Sequence, residues 1–164
     1  MRLRRLLAFL FVAVATQTSA QQEVRIKDCE YAVTFPTHPR AVSYQAEGKP
    51  GEFFVTRSED GTPILRAECQ KITDRSGLSE ALIVKSLEEQ AASIGLSHVQ
   101  VTMERSELGL VGTYVGRKTA AGHEMIQMGK LYVGRTSVLN LLVIETLKAF
   151  PSKRANGFVW SVKR

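Results

Sequence analysis

Apolar and polar residues alternate along most of this chain, and the breaks in that rhythm mark its other elements. In "CEYAVTF" Cys29, Tyr31, Val33 and Phe35 fall on every second position, which predicts a strand with one buried face. Pro36 ends it, because proline offers no backbone donor and holds the residue before it extended. Further strands are expected at "RAVSYQ", "EFFVTR" and "ILRAECQKI", separated by the Gly/Pro turn signals "EGKPGE" and "EDGTP". The period then changes. In "SGLSEALIVKSLEEQAASIG" Leu78, Leu82, Ile83, Leu87, Ala91 and Ile94 recur at helical intervals, with Ser76 or Ser79 as cap and Gly95 as terminator.

Alternation returns in "HVQVTMERSEL", "GLVGTYVGRK", "EMIQMGKLYVG" and "RTSVLNLLVIE", the last two joined by little more than Gly134 and Arg135. The run from Val138 to Ile144 is apolar except for Asn140, as in a central strand buried on both faces. If Asn140 is buried, its amide needs a hydrogen-bond partner. A closing helix is expected in "PSKRANGFVWSVKR", starting at Pro151-Ser152 and packing through Phe158 and Trp160. The order of strands, helix, four strands and helix predicts an α+β domain, an antiparallel sheet with helices on its faces.

The first twenty residues stand apart. A basic start (Arg2, Arg4, Arg5), an apolar run from Leu6 to Ala15 and a small-residue end at Ser19-Ala20 give the layout of a cleavable secretory signal. The run is about half the roughly 20 residues that a membrane span needs, so no stable membrane insertion is expected. The residues before Cys29 do not fit a lipidation signal. A single domain over residues 21–164 in the periplasm or secreted medium follows, with no repeat or linker inside it.

Cleavage changes the charge. The chain carries 22 Lys+Arg and 16 Asp+Glu, a formal +6; the leader holds three arginines and no acid, leaving +3. That mild excess gives no footprint for nucleic acid. In an oxidising compartment the two cysteines, Cys29 and Cys69, are expected to pair. No C-x-x-C supports a redox role.

Candidate chemistry is sparse. His38, His98 and His123 lack the short spacing that pre-forms a metal site, and G-x-S-x-G, Walker and calcium-loop motifs are absent, so no cofactor is expected. Glu59 and Asp60 read as hairpin residues.

One resemblance organises these features. "TFPTHP" with Pro36 and Pro39, the central amphipathic helix, "VGTYVGR", the two paired strands and "ANGFVWS" resemble the PsbP-like superfamily across residues 24–164. The superfamily includes an extrinsic photosystem subunit, a Ran-binding import factor and small exported bacterial proteins. The resemblance implies an α/β/α sandwich and partner binding without catalysis.

Three functions are compatible with these features. The first is an exported non-catalytic domain that binds an envelope protein or a small ligand, with Phe158, Trp160, Lys153 and Arg154 as possible partner contacts. The second is a hydrolase assembled from His98, His123 and a Ser or Glu. The third is attachment to an anionic envelope surface through Lys153, Arg154, Lys163 and Arg164.

Overall fold

The computed structural model describes residues 20–46 and 48–164. The expected leader, all but Ala20, lies outside them. Seven strands form one antiparallel sheet: β3 (Arg40–Ala46), β4 (Lys49–Arg57), β5 (Ile64–Lys71), β6 (Ser97–Ser106), β7 (Gly109–Ala120), β8 (His123–Val133) and β9 (Ser137–Thr146). Their order across the sheet is β3-β4-β5-β9-β8-β7-β6. Helix α1 (Glu80–Ser93) carries the chain from β5 to the far edge, and β6 to β9 meander back to the centre. The helix begins where the periodicity places it, with the Ser79 hydroxyl accepting from Leu82 N, and Gly95 follows it at φ 71.

Neighbouring residues on a strand point to opposite faces, and β9 shows what each face does. Leu139, Leu141 and Val143 are buried with Phe35, Val33, Leu65, Ala155 and Phe158. A small hairpin and a short helix cover this side: β1 (Gln22–Arg25) with β2 (Ala32–Phe35), and α2 (Lys153–Val159). Phe35 and Phe158 stack with ring centres 4.8 Å apart. Strand β1 is absent from the sequence reading because "QEVR" buries only Val24 and offers no alternation to read.

On the opposite face Ile83, Leu87 and Ala91 of α1 pack with Tyr114 and Val133. The close approach needs Gly112, where a Cβ would stand 2.7 Å from Leu87 Cδ1. Because α1 lies on β6 and β7, it reaches the second face of β9 only at Val138 and leaves the rest of that face open. The expectation of a strand buried on both faces is corrected accordingly: Val138, Asn140, Leu142 and Ile144 are only half-buried.

Three ties hold the N-terminal hairpin down. Cys29 and Cys69 are disulfide-bonded with Cα atoms 5.9 Å apart, joining the β1–β2 connection to β5. Glu30 reaches into the β8–β9 turn, where its carboxylate accepts from Arg135 N at 2.9 Å, Thr136 N at 2.8 Å and Thr136 Oγ1 at 2.8 Å. Its Oε1 also lies 3.1 Å from Arg164. Finally, Ala32 and Lys163 exchange backbone hydrogen bonds of 2.7 and 3.1 Å. Partial burial alone would raise the Glu30 pKa; the donors from Thr136 and Arg135 and the Arg164 charge outweigh it, so the group titrates below its ordinary 4.5.

Two outcomes are expected. Replacing both cysteines by alanine removes a cross-link over a sequence separation of 40 residues. Denaturant unfolding should then show a loss of about 4 kcal/mol, and an unchanged midpoint would contradict the tie. Glu30→Gln should cost about 1–3 kcal/mol at pH 7. Since the folded carboxyl has the lower pKa, its contribution is full above about pH 4.5 and disappears as pH falls through the folded value. Urea unfolding at neutral and strongly acidic pH should therefore show the gap between wild type and variant closing on the acid side.

Candidate ligand cleft at the end of the sheet

Strand β4 ends at Arg57, and the chain turns through Ser58 to Pro63 with Gly61 N donating to Ser58 O at 2.9 Å. Asp60 Oδ1 accepts from Thr62 N at 3.3 Å in the same turn. Alongside it the β7–β8 hairpin reverses at Ala121 and Gly122, both at positive φ. These two turns, the end of β9 and the start of α2 enclose a cleft of about 820 Å³. That falls within the range of small-molecule sites. Pro63, Ile64, Met125 and Ile144 give it apolar walls, and Arg57, Lys118, His123 and Arg154 give it a basic rim.

At its base Glu145 is fully buried. Its carboxylate accepts from Ser152 N at 3.0 Å and from the Ser152 hydroxyl. The same hydroxyl oxygen accepts from Ala155 N at 3.1 Å, capping α2. Glu145 thus fixes the start of the helix that carries Arg154, whose Nη1 donates to Ser58 Oγ at 2.9 Å. Its polar atoms are engaged in holding structure.

The two histidines of the hydrolase alternative do not share this place. His123 opens β8 and lines the cleft. His98 sits on the edge strand β6 at φ 51, where the pairing with β7 slips between Ser97 and Gln100, and it is not among the cleft residues. His38 borders a separate groove with Pro39 and Arg40. Among the described residues, no three His, Cys, Asp or Glu side chains are grouped to hold a metal ion.

The expected partner contacts separate by burial. Phe158 is 1 % exposed and belongs to the core, whereas Trp160, read as a packing residue, is 72 % exposed just past α2. Trp160 covers Lys130: the Lys130 ammonium lies 4.0 Å from the indole centre, 5.4 Å from that of Tyr132 and 3.8 Å from Glu104. Desolvation lowers the Lys130 pKa, and Glu104 opposes that shift. Lys130 was not singled out from the sequence, although a lysine inside "EMIQMGKLYVG" is the available signal. The terminal cations are also divided. Lys163 is paired with Glu23, and Arg164 is bound by Glu30 and the Leu108 carbonyl at 2.9 Å. Attachment to an anionic surface through all four terminal cations is thereby weakened, since only Lys153 and Arg154 remain free of a carboxylate among the described residues.

No protein-family model matches this chain. No curated protein matches it either. Solved structures do. The solution structure of cyanobacterial PsbP (CyanoP) from Synechocystis sp. PCC 6803 superposes with a TM-score of 0.62 at 10 % identity, covering 94 % of this chain and 98 % of that one. The crystal structure of LpqN, involved in cell envelope biogenesis of Mycobacterium tuberculosis, gives 0.54 at 14 % identity, covering 88 % and 90 %. The fold is PsbP-like, an antiparallel sheet with helices on its faces.

The position of Trp160 can be checked directly, because it is the only tryptophan in the chain. Its fluorescence should be that of a water-exposed indole in the folded protein, with little further shift on unfolding. Trp160→Ala should change stability by no more than about 1 kcal/mol. A larger loss would place the ring in the core.

Proposed function

We propose that this chain is an exported, non-catalytic recognition domain of a bacterial cell envelope, and that it holds a small ligand in the cleft at the end of the sheet. The observation that carries the reading is the cleft itself, with apolar walls and a rim of side chains from four separate elements. Export is supported by the leader-like first twenty residues and by the Cys29–Cys69 bond, which persists in oxidising compartments. An envelope setting is compatible with the likeness to LpqN, although at 14 % identity that likeness carries fold alone. The separation of His98 from His123, and the engagement of Glu145 with Ser152, speak against the hydrolase alternative.

A second reading rests on Trp160. An exposed indole held in place over Lys130 is a ready anchor for an envelope protein, with Lys153 on the helix that ends at it.

One experiment separates the two. Ala120 is an exposed residue of the cleft wall, so Ala120→Trp narrows the cleft without disturbing the core. Native mass spectrometry of protein recovered from the periplasm is expected to show a bound small molecule on the wild type and on Trp160→Ala, and none on Ala120→Trp. If the wild type carries no small molecule, while crosslinking in cells gives a protein adduct that only Trp160→Ala abolishes, the cleft reading fails and the docking reading replaces it.

A further inference from the structure

Charge on the rim of the cleft is unbalanced. Arg57 from the end of β4, Lys118 from β7 and Arg154 from α2 bring three permanent cations to it, with the His123 imidazole beside them. Among the described lining residues two carboxylates, Glu145 and Asp60, offset part of that charge but leave it positive, and each is directed to a neutral donor of the protein rather than to a cation. Glu145 is buried and bonded through its two oxygens to Ser152, while Asp60 accepts from the backbone of its own turn. Neither lies within ion-pair distance of the three cations, and among the described residues Arg154 has only the Ser58 hydroxyl as side-chain partner. By contrast, Arg66, Arg105, Lys130, Lys163 and Arg164 each meet a carboxylate.

Cations drawn from residues 57, 118 and 154 meet only because the fold brings three elements to one end of the sheet. Like charges around a concave, partly dry surface repel one another and raise the local potential, a cost that an anion relieves. Guanidinium forks match the paired oxygens of a phosphate or carboxylate, and an ammonium adds a point charge. Behind them, Ile64, Met125 and Ile144 offer apolar surface with no polar demand.

We propose that the cleft takes a small amphiphile with one anionic oxygen group, a phosphate ester or a carboxylate, held by Arg57, Lys118 and Arg154 with its apolar body against Ile64, Met125 and Ile144. The inference rests on the cleft being the ligand site.

Isothermal titration of the full folded domain with octyl phosphate, inorganic phosphate and octyl glucoside tests it. Octyl phosphate should bind more tightly than either of the others, each of which supplies only half of the required chemistry. Arg57→Gln, Lys118→Gln and Arg154→Gln should each weaken it by about tenfold. Lys153→Gln removes the same charge one residue outside the lining and should change affinity less than about twofold. All four positions are on the surface, and unchanged melting curves confirm that the variants fold. Sedimentation with phosphatidylglycerol vesicles distinguishes the source: co-sedimentation lost in the same three variants identifies a lipid headgroup, and soluble binding without sedimentation identifies a free solute. Equal binding of octyl glucoside, or an equal loss in Lys153→Gln, would overturn the proposal. Ala120→Trp keeps the two failures apart. If it abolishes octyl glucoside binding while the charge variants change nothing, the cleft holds a neutral ligand and only the anion is wrong. If octyl phosphate binds Ala120→Trp with unchanged affinity, the site is elsewhere.

Discussion

Attachment of the N-terminal hairpin to the sheet is the constraint on which the rest of the fold depends. Two four-residue strands cannot hold themselves together in water. Yet Val24, Tyr31, Val33 and Phe35 supply much of the layer that keeps Leu65, Leu139, Leu141 and Val143 dry. Apolar contact of this kind is strong but undirected. The Cys29–Cys69 bond and the Glu30 carboxylate make it directional, one by covalent geometry and the other by filling the donors of the β8–β9 turn. With the hairpin fixed, Ser161 Oγ can accept from Thr34 N at 2.8 Å and so anchor the end of α2.

The two helices then divide the sheet diagonally. α1 serves β6 and β7 on one face, and α2 with the hairpin serves β5, β9 and β8 on the other. The open half of the first face carries Arg66 and Glu68, an ion pair whose guanidinium lies 3.9 Å from the Phe53 ring centre. Tyr44 adds its hydroxyl to Glu68. Arg66, Glu68 and Tyr44 partner one another on that half, and the mixture of aromatic and charged side chains keeps a bare sheet face tolerable in water.

Function follows from what the structure leaves unengaged. Glu145, Ser152, Ser137 and Glu30 resemble reactive groups by type, but each is bonded into a turn, a cap or a strand end. Arg57 and Lys118 stand near strand ends and, among the described residues, form no side-chain hydrogen bond or ion pair. The proposed recognition role rests on this contrast, with Glu145, Ser152, Ser137 and Glu30 held in structural bonds and the rim cations of the cleft without a carboxylate partner among the described residues.

The strands from β3 to β9, the limits of α1 and the pairing of Cys29 with Cys69 were legible in the sequence, because alternation, helical period, caps and an even cysteine count behind a leader-like start are local or compositional signals. Strand β1 was illegible because only one of its side chains is buried. The partial exposure of Val138, Leu142 and Ile144 was misread for a different reason: an apolar run reports that a strand is central, not which strands the helix will cover. The burial of Phe158 beside an exposed Trp160, and the meeting of Arg57, Lys118, His123 and Arg154 at one cleft, could be decided only in three dimensions. Such proximity depends on strand order and crossover path, and neither leaves a mark on the residues it brings together.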